Sequence, residues 1–570
     1  MPDITPETIA RIASRLLNEV PTGTPLPGGP SVAELPSPPE GVPLPPTTLS
    51  PPTSSSSALG SIPPAHLPPL PADQSAVIPR DKNISTPSPH GINNQDGLKN
   101  FVLQVRGLQH RSDAGLWPQF PFLNPPLNPG LNPGKPAVGP SVTHPSGHRP
   151  LDLPSIRRDF PILNQKVHGK PLVWLDNAAT TQKPYCVIDA ISNFYSHDNS
   201  NIHRAAHTLA ARATDAYESA REKVQKFVGA SAVEEILFVR GTTEGINLIA
   251  NTYGRKFLQP GDEIILSTLE HHANIVPWQM VAKQTGAHIR VIPVTDRGEI
   301  MLEEYQSLLG PRTKLVALTH ASNSLGTVLP IGEMTQLAKR YNARVLIDGA
   351  QTVAHAPVNV QDIGCDFFVF SGHKIFGPTG IGAVYVKREL QEIMPPWQGG
   401  GNMIKNVTFE ETTYSDPPAK FEAGTPNIAD AVGLGAALDY VSNLGLPNIA
   451  KYEHDLLAYA TAKLEPIPGL RLIGTAPHKI GVLSFVLQNR RTEEVGKLLD
   501  LEGIAVRAGH HCSQPSLRRF GLETTVRPSL AFYNTFDEID HLADSIRRIQ
   551  GSVARPSTSI PSGFPHRDHH

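Results

Sequence analysis

From about residue 151 the chain alternates short runs of β-branched and aromatic residues with stretches in which apolar positions recur every three or four residues. The runs predict strands at 236–239, 264–267, 289–294, 315–319, 345–347, 367–370 and 383–386, and the periodic stretches predict helices at 244–253, 276–285 and 332–341. Such alternation implies an α/β fold, a largely parallel sheet with helices on both faces, whose ligands sit at the carboxyl ends of the strands. Upstream the pattern is sparse. Thr5 and Pro6 give a helix-start signal before Ile9, Ile12, Leu16 and Leu17, and a second apolar island at 98–108 carries Phe101, Val102, Leu103 and Val105. Pro/Ser-rich sequence separates the two, and the repeat L-N-P-P-L-N-P-G-L-N-P-G at 123–134 suits neither helix nor strand.

Composition sharpens that boundary. Of the 57 prolines, 32 fall in the first 150 residues. A stretch so rich in Pro, Ser and Gly buries too little apolar surface to offset its conformational entropy, so residues 1–150 are expected to form a disordered arm with two short sticky patches. Residues 551–570, ending H-R-D-H-H, read as an unfolded tail. A formal net charge of −2 gives no general attraction to nucleic acid or to acidic membranes. No apolar run is long enough to span a bilayer, and Asp3, Glu7 and Glu19 are out of place in a transit peptide, so no membrane association and a cytoplasmic location are expected. Three cysteines cannot make a disulfide framework. Cys186 and Cys365 lie beside apolar runs and read as buried small hydrophobes.

Three polar clusters follow predicted strands. V-L-I-D-G-A-Q places Asp348 at a strand end with Gln351 three residues on, and F-F-V-F-S-G-H-K places Ser371, His373 and Lys374 just past another. A carboxylate able to keep a pyridine nitrogen protonated and a lysine able to form an imine are the two parts a protein uses to make pyridoxal phosphate an electron sink. The third cluster, V-R-G-T-T-E-G-I-N, puts Gly241, Thr242 and Thr243 between a strand and a helix. Backbone N–H groups and hydroxyls there suit a phosphate or, equally, an ordinary helix cap. Near the C-terminus, R-A-G-H-H-C sets Cys512 beside His510 and His511, with Gly509 for motion. As a metal site H-H-C lacks a clustered fourth ligand, so no metal is expected; as a nucleophile, a cysteine near groups that favour ionisation is apt.

In order along residues 156–550, the strings R-R-D-F-P-I-L, L-D-N-A-A-T-T-Q-K-P, R-G-T-T-E-G-I-N, E-H-H-A-N-I-V-P-W-Q, H-A-S-N-S-L-G, D-G-A-Q, S-G-H-K-I-F-G-P-T-G-I-G, F-E-A-G-T-P-N, R-A-G-H-H-C-S-Q-P and R-P-S-L-A-F-Y-N-T resemble a Suf-type (group II) cysteine desulfurase of the aminotransferase class V superfamily. The resemblance implies the pyridoxal-phosphate fold type I, with a large domain over about 172–425 around a mainly parallel seven-stranded sheet and a smaller α/β domain from 151–171 plus 426–550. It implies pyridoxal 5′-phosphate as cofactor, with Lys374 as the Schiff-base lysine, Asp348 on the pyridinium nitrogen, Gln351 on the ring oxygen and His271 stacked on the ring. Thr243, Ser371 and His373 would hold the phosphate. Asn323 and Arg527 would bind the carboxylate of L-cysteine, with Arg507 close by, and Cys512 would take the sulfur as a persulfide and pass it to an acceptor protein. Thr425, with Gly399, Gly400 and Gly401, would reach a partner's phosphate site in a homodimer.

Selenocysteine lyases share the lysine and aspartate, so selenocysteine stays open as a substrate, and a passive scaffold is the non-enzymatic alternative. The intact set of lysine, aspartate, arginine and cysteine favours the enzyme. The Pro-rich arm departs from the standalone family pattern; its layout is similar to that of desulfurases carried as cargo of encapsulin-type protein shells, which implies targeting by short patches on a string.

Overall fold

The computed structural model describes residues 151–202 and 206–551. The apolar islands at 5–20 and 98–108, the Pro-rich repeat and the tail lie outside those residues.

All seven expected runs are strands of one sheet: β1 (Ile236–Val239), β2 (Glu263–Ser267), β3 (His288–Ile292), β4 (Thr313–Thr319), β5 (Arg344–Asp348), β6 (Phe367–Ser371) and β7 (Gly382–Val386). Their order is β1-β7-β6-β5-β4-β2-β3, and β7 alone runs against the rest. Helices cover both faces, so the central strands are buried along almost their whole length and read as continuous apolar runs, whereas the edge strand β3 is mostly exposed. Gly382 is needed where β7 enters between its neighbours. A Cβ there would lie 2.5 Å from the Phe370 carbonyl oxygen and 2.6 Å from the Gly241 Cα.

A second sheet of four antiparallel strands follows: β8 (Leu470–Ile473), β9 (Ser484–Leu487), β10 (Arg507–Gly509) and β11 (Thr525–Arg527), in the order β8-β9-β11-β10. It has a core of its own, in which Phe485 and Val526 pack on Ile539, Leu542, Ala543 and Ile546 of the helix Phe536–Gly551. Val173 and Leu175 are buried in that same core, and Val173–Trp174 pair with Ile504–Ala505. Conversely, Leu434 and Leu438 of the helix Ile428–Leu444 are buried in the core of the large sheet. The chain thus crosses between the two cores near residues 173–175, within the helix Leu446–Leu464 between Ile449 and Leu456, and near 530–533.

No helix among the described residues is long and apolar enough to cross a membrane. Cys365 is buried, as its neighbours suggest, and burial pushes its thiol up to about 12. Cys186 corrects the expectation: it is exposed, in the first turn of the helix Tyr185–Asn193. Successive residues of a helix point about 100° apart, so buried Val187 beside it says nothing of Cys186.

Candidate active site

The strand ends converge on a cavity of about 240 Å³. Asp348 ends β5, Ser371 ends β6, Thr319 ends β4, and the loops after β1 and β2 bring Thr242, Thr243 and His271 to the same space. Lys374 and His373 stand in the turn after β6. Asn323, Gln351, Arg507, Arg527, His511 and Cys512 also line it, whereas Gly241, His510, Thr425 and Gly399 to Gly401 do not. Thr425 lies in a separate surface hollow beside Trp397, Gln398 and Asn427.

On the large-sheet side the groups are charged or neutral for physical reasons. Burial draws the Lys374 amine down to about 8, opposed by the Asp348 carboxylate. Its Nζ has no hydrogen-bond partner among the described residues. Asp348 is buried, which raises its carboxyl, while the Ala350 N–H (2.9 Å to Oδ1) and Lys374 act the other way. His271 falls to about 3 through burial and the nearby Lys374, so its imidazole is neutral; Nδ1 accepts from the Ala273 N–H at 3.1 Å, leaving the proton on Nε2. At the start of the helix Thr242–Ile249, Thr242 N–H donates to Ser371 Oγ at 2.8 Å, and that hydroxyl donates to Thr242 Oγ1 at 2.9 Å. One Gln351 N–H is committed to the Ala178 carbonyl at 2.8 Å, leaving the second.

The opposite side comes from the C-terminal sheet. Arg527 on β11 is buried, donating to the Asn323 carbonyl at 3.0 Å and to Asp176 at 2.9 Å, while its Nε has no partner among the described residues. Arg507 on β10 stands 4.0 Å from the same aspartate, half exposed. Asp176 is the counter-charge for both, and sequence reasoning missed it; a carboxylate in L-D-N-A-A-T-T just past a short apolar run was the available signal. Asn323, expected to meet substrate, has its amide engaged with the cysteine loop: Nδ2 donates to the His511 carbonyl at 2.7 Å and Oδ1 accepts from Ser513 Oγ at 2.6 Å. His511 and Cys512 both have left-handed backbone, at φ 53° and 54°. Two adjacent non-glycine residues in that region carry strain and persist only where surroundings over-determine them. Here the surroundings are Asn323, the His272 N–H on the Cys512 carbonyl at 2.8 Å, and Thr525 Oγ1 on His511 Nε2 at 2.8 Å.

These residues fit pyridoxal 5′-phosphate. An amine without a partner, part-way to neutrality, suits the aldehyde; a buried carboxylate suits the ring nitrogen; a neutral imidazole suits the ring face; and hydroxyls at a helix start suit the phosphate. The unpartnered Arg527 Nε provides a further donor for a substrate carboxylate.

The aminotransferase class-V family model matches residues 173–542. The cysteine desulfurase of Synechococcus elongatus is 63% identical over 418 residues, covering 73% of this chain and 67% of that one. The cysteine desulfurase of Dickeya dadantii is 51% identical over 409 residues, covering 72% and 98% respectively. The chain spans 59% to 67% of the own length of the first three curated relatives it matches. Among solved structures, the cysteine desulfurase CsdA of Escherichia coli, in an S-sulfonic acid form, superposes with a TM-score of 0.66 at 39% identity, over 71% of this chain and 100% of that one.

Proposed function

Because the chain belongs to the aminotransferase class-V family and, within it, to the pyridoxal-phosphate-dependent cysteine desulfurases, we propose that it converts L-cysteine to L-alanine and stores the sulfur as a persulfide on Cys512. The observation that carries the reading is the placement of Cys512 in one cavity with Lys374, Asp348 and Arg527. Arg527, with Arg507 beside it, holds the substrate carboxylate and so aims the Cα–H bond toward Lys374. The neutral fraction of the Lys374 amine accepts that proton. Held by His271 and Asp348, pyridoxal phosphate would supply the electron sink for the bond that breaks. Cys512 then attacks the substrate sulfur: an S–S bond forms, the Cβ–S bond breaks, and its electron pair stays with carbon, which is protonated to a methyl group before the proton on Lys374 returns to Cα to give alanine.

Replacing Cys512 with Ser is expected to abolish alanine release while leaving the visible absorbance of the bound cofactor unchanged. Full turnover by that variant overturns the persulfide step. Selenocysteine offered alongside cysteine tests whether selenium is the preferred cargo.

We further propose a Suf-type homodimer in which Thr425 serves a second copy's phosphate site, since it lies apart from the cavity of its own chain. The Pro-rich segment 1–150 is assigned to recruitment of a larger partner, an encapsulin-type shell being the kind its patches fit, with a separate acceptor protein taking the sulfur. Deleting 1–150 should leave desulfurase activity within about twofold but remove co-purification with the shell. Equal recovery of both forms ends the targeting reading.

A further inference from the structure

The turn that presents Lys374 is held from behind chiefly at one oxygen. The His373 carbonyl, whose carbon belongs to the peptide bond leading into Lys374, lies within hydrogen-bond reach of four donors: Thr180 Oγ1 at 3.0 Å, Thr181 N at 3.1 Å, Thr181 Oγ1 at 3.2 Å and Lys183 Nζ at 3.1 Å. Thr181 also closes the other end of the turn, its Oγ1 accepting the Phe376 N–H at 2.8 Å. Lys183 turns a second hydrogen bond to the Thr181 carbonyl.

Lys183 is an odd choice if the task were only to fill space. Its ammonium is largely withdrawn from water and pairs with no carboxylate among the described residues; both of its acceptors are backbone carbonyls, and burial draws it down to about 7. A buried cation satisfied this way is costlier than a well-packed apolar side chain. Lys183 also bears on the His373 imidazole, which lines the cavity and is held neutral, down to about 4, by burial, Lys374 and Lys183.

We propose that Lys183 is a positioning residue: with Thr180 and Thr181 it clamps the His373 carbonyl, fixes the His373–Lys374 peptide plane, and so sets the direction from which the Lys374 amine meets the cofactor. A planar peptide passes rotation at its carbonyl directly to the Lys374 Cα. The inference rests on Lys374 being the lysine that carries the cofactor. Loss of covalently held cofactor in Lys374→Ala checks that premise separately.

The test uses full-length holoenzyme, with two readouts other than turnover: the pH midpoint of the cofactor's visible absorbance and the rate at which hydroxylamine strips the cofactor. In Lys183→Met the midpoint should rise, though only by about a few tenths of a pH unit, because just the protonated fraction of Lys183 is removed. Stripping should be about tenfold faster, because the tether is looser. Lys183→Arg, which keeps a cationic donor, should restore both. Thr180→Val removes one donor to the same oxygen without touching charge, so it should speed stripping while leaving the midpoint in place. It also decides the matter if Lys183→Met folds poorly. Wild-type stripping in Thr180→Val, or wild-type behaviour in Lys183→Met, overturns the clamp.

Discussion

Asp348 and Ser371 end strands that are buried almost throughout and lie in the middle of a seven-stranded sheet, whereas Cys512 follows a three-residue strand and sits in left-handed backbone next to a second such residue. One side of the cavity is therefore as rigid as the core behind it. The other is a strained loop held by a few side chains. The difference suits the chemistry, since a cofactor must be held in one pose through every turnover, while the sulfur carrier must meet substrate inside the cavity and an acceptor outside it. Strain stored in the loop lowers the energy gap between the positions it must occupy.

A charge on the rigid side can be changed with its shape left alone. Asp348→Asn keeps size and the Ala350 contact but removes the group that would keep the ring nitrogen protonated. The expected result is cofactor retention with a rate about 10²-fold lower or worse, read as alanine formation at saturating cysteine. A loss under about threefold would mean that the ring nitrogen is not where the cavity places it.

The rigid side also has a cost that can be titrated. Burial lowers Lys374 from 10.5 to about 8, so between those values the unfolded chain binds more protons than the native one. Stability of the cofactor-free enzyme should then rise as pH goes from about 8 to 10.5, the penalty being fully present below the folded value. Lys374→Met should remove this part of the rise and gain up to about 3 kcal/mol at neutral pH, measured by denaturant unfolding. Parallel pH curves for variant and wild type would show that the amine is not desolvated.

The same contrast governs what the sequence revealed. Strands buried on both faces of a sheet must be continuous apolar runs, so six of β1–β7 were legible that way and the exposed edge strand β3 by its β-branched residues, and with them the polar residues at their ends: Asp348, Ser371, His373, Lys374 and the Gly241–Thr243 loop. The two C-terminal strands that carry the site left no such trace. Arg507–Gly509 and Thr525–Arg527 are three residues each, too short for a period, and one of them consists of R-A-G. Cys512 and Arg527 were found there through resemblance to known motifs, and Asp176, whose meaning depends on Arg527 some 350 positions away, was not found at all. Asn323 was singled out as a substrate ligand, but its two contacts to residues 511–513 are long-range and leave no local signal. Cys186 failed for the complementary reason, that neighbours in sequence are not neighbours in burial on a helix.

The smallest expected effect is the one that isolates the loop. Thr525 is fully buried on β11 and meets His511 Nε2 at 2.8 Å, 14 positions from it in sequence and away from the cofactor-binding residues. Thr525→Val has nearly the same shape, so it fills the site but leaves His511 Nε2 without a partner. The buried ring nitrogen then costs about 1–2 kcal/mol. Neutral His511, held down to about 2 by burial and the cations Arg527 and Arg507, cannot recover the loss by taking up a proton at neutral pH. The cost falls on the strained conformation of residues 511 and 512, so the loop should open more often while the strand ends of the large sheet stay as they are. Two measurements separate these: alkylation of Cys512 by iodoacetamide should quicken by about tenfold, the factor that 1.4 kcal/mol sets, and the visible spectrum of the bound cofactor should not move. A spectrum that shifts with the alkylation rate would mean that the two sides of the cavity are one mechanical unit, and that the strain at Cys512 is borne by the cofactor site as well.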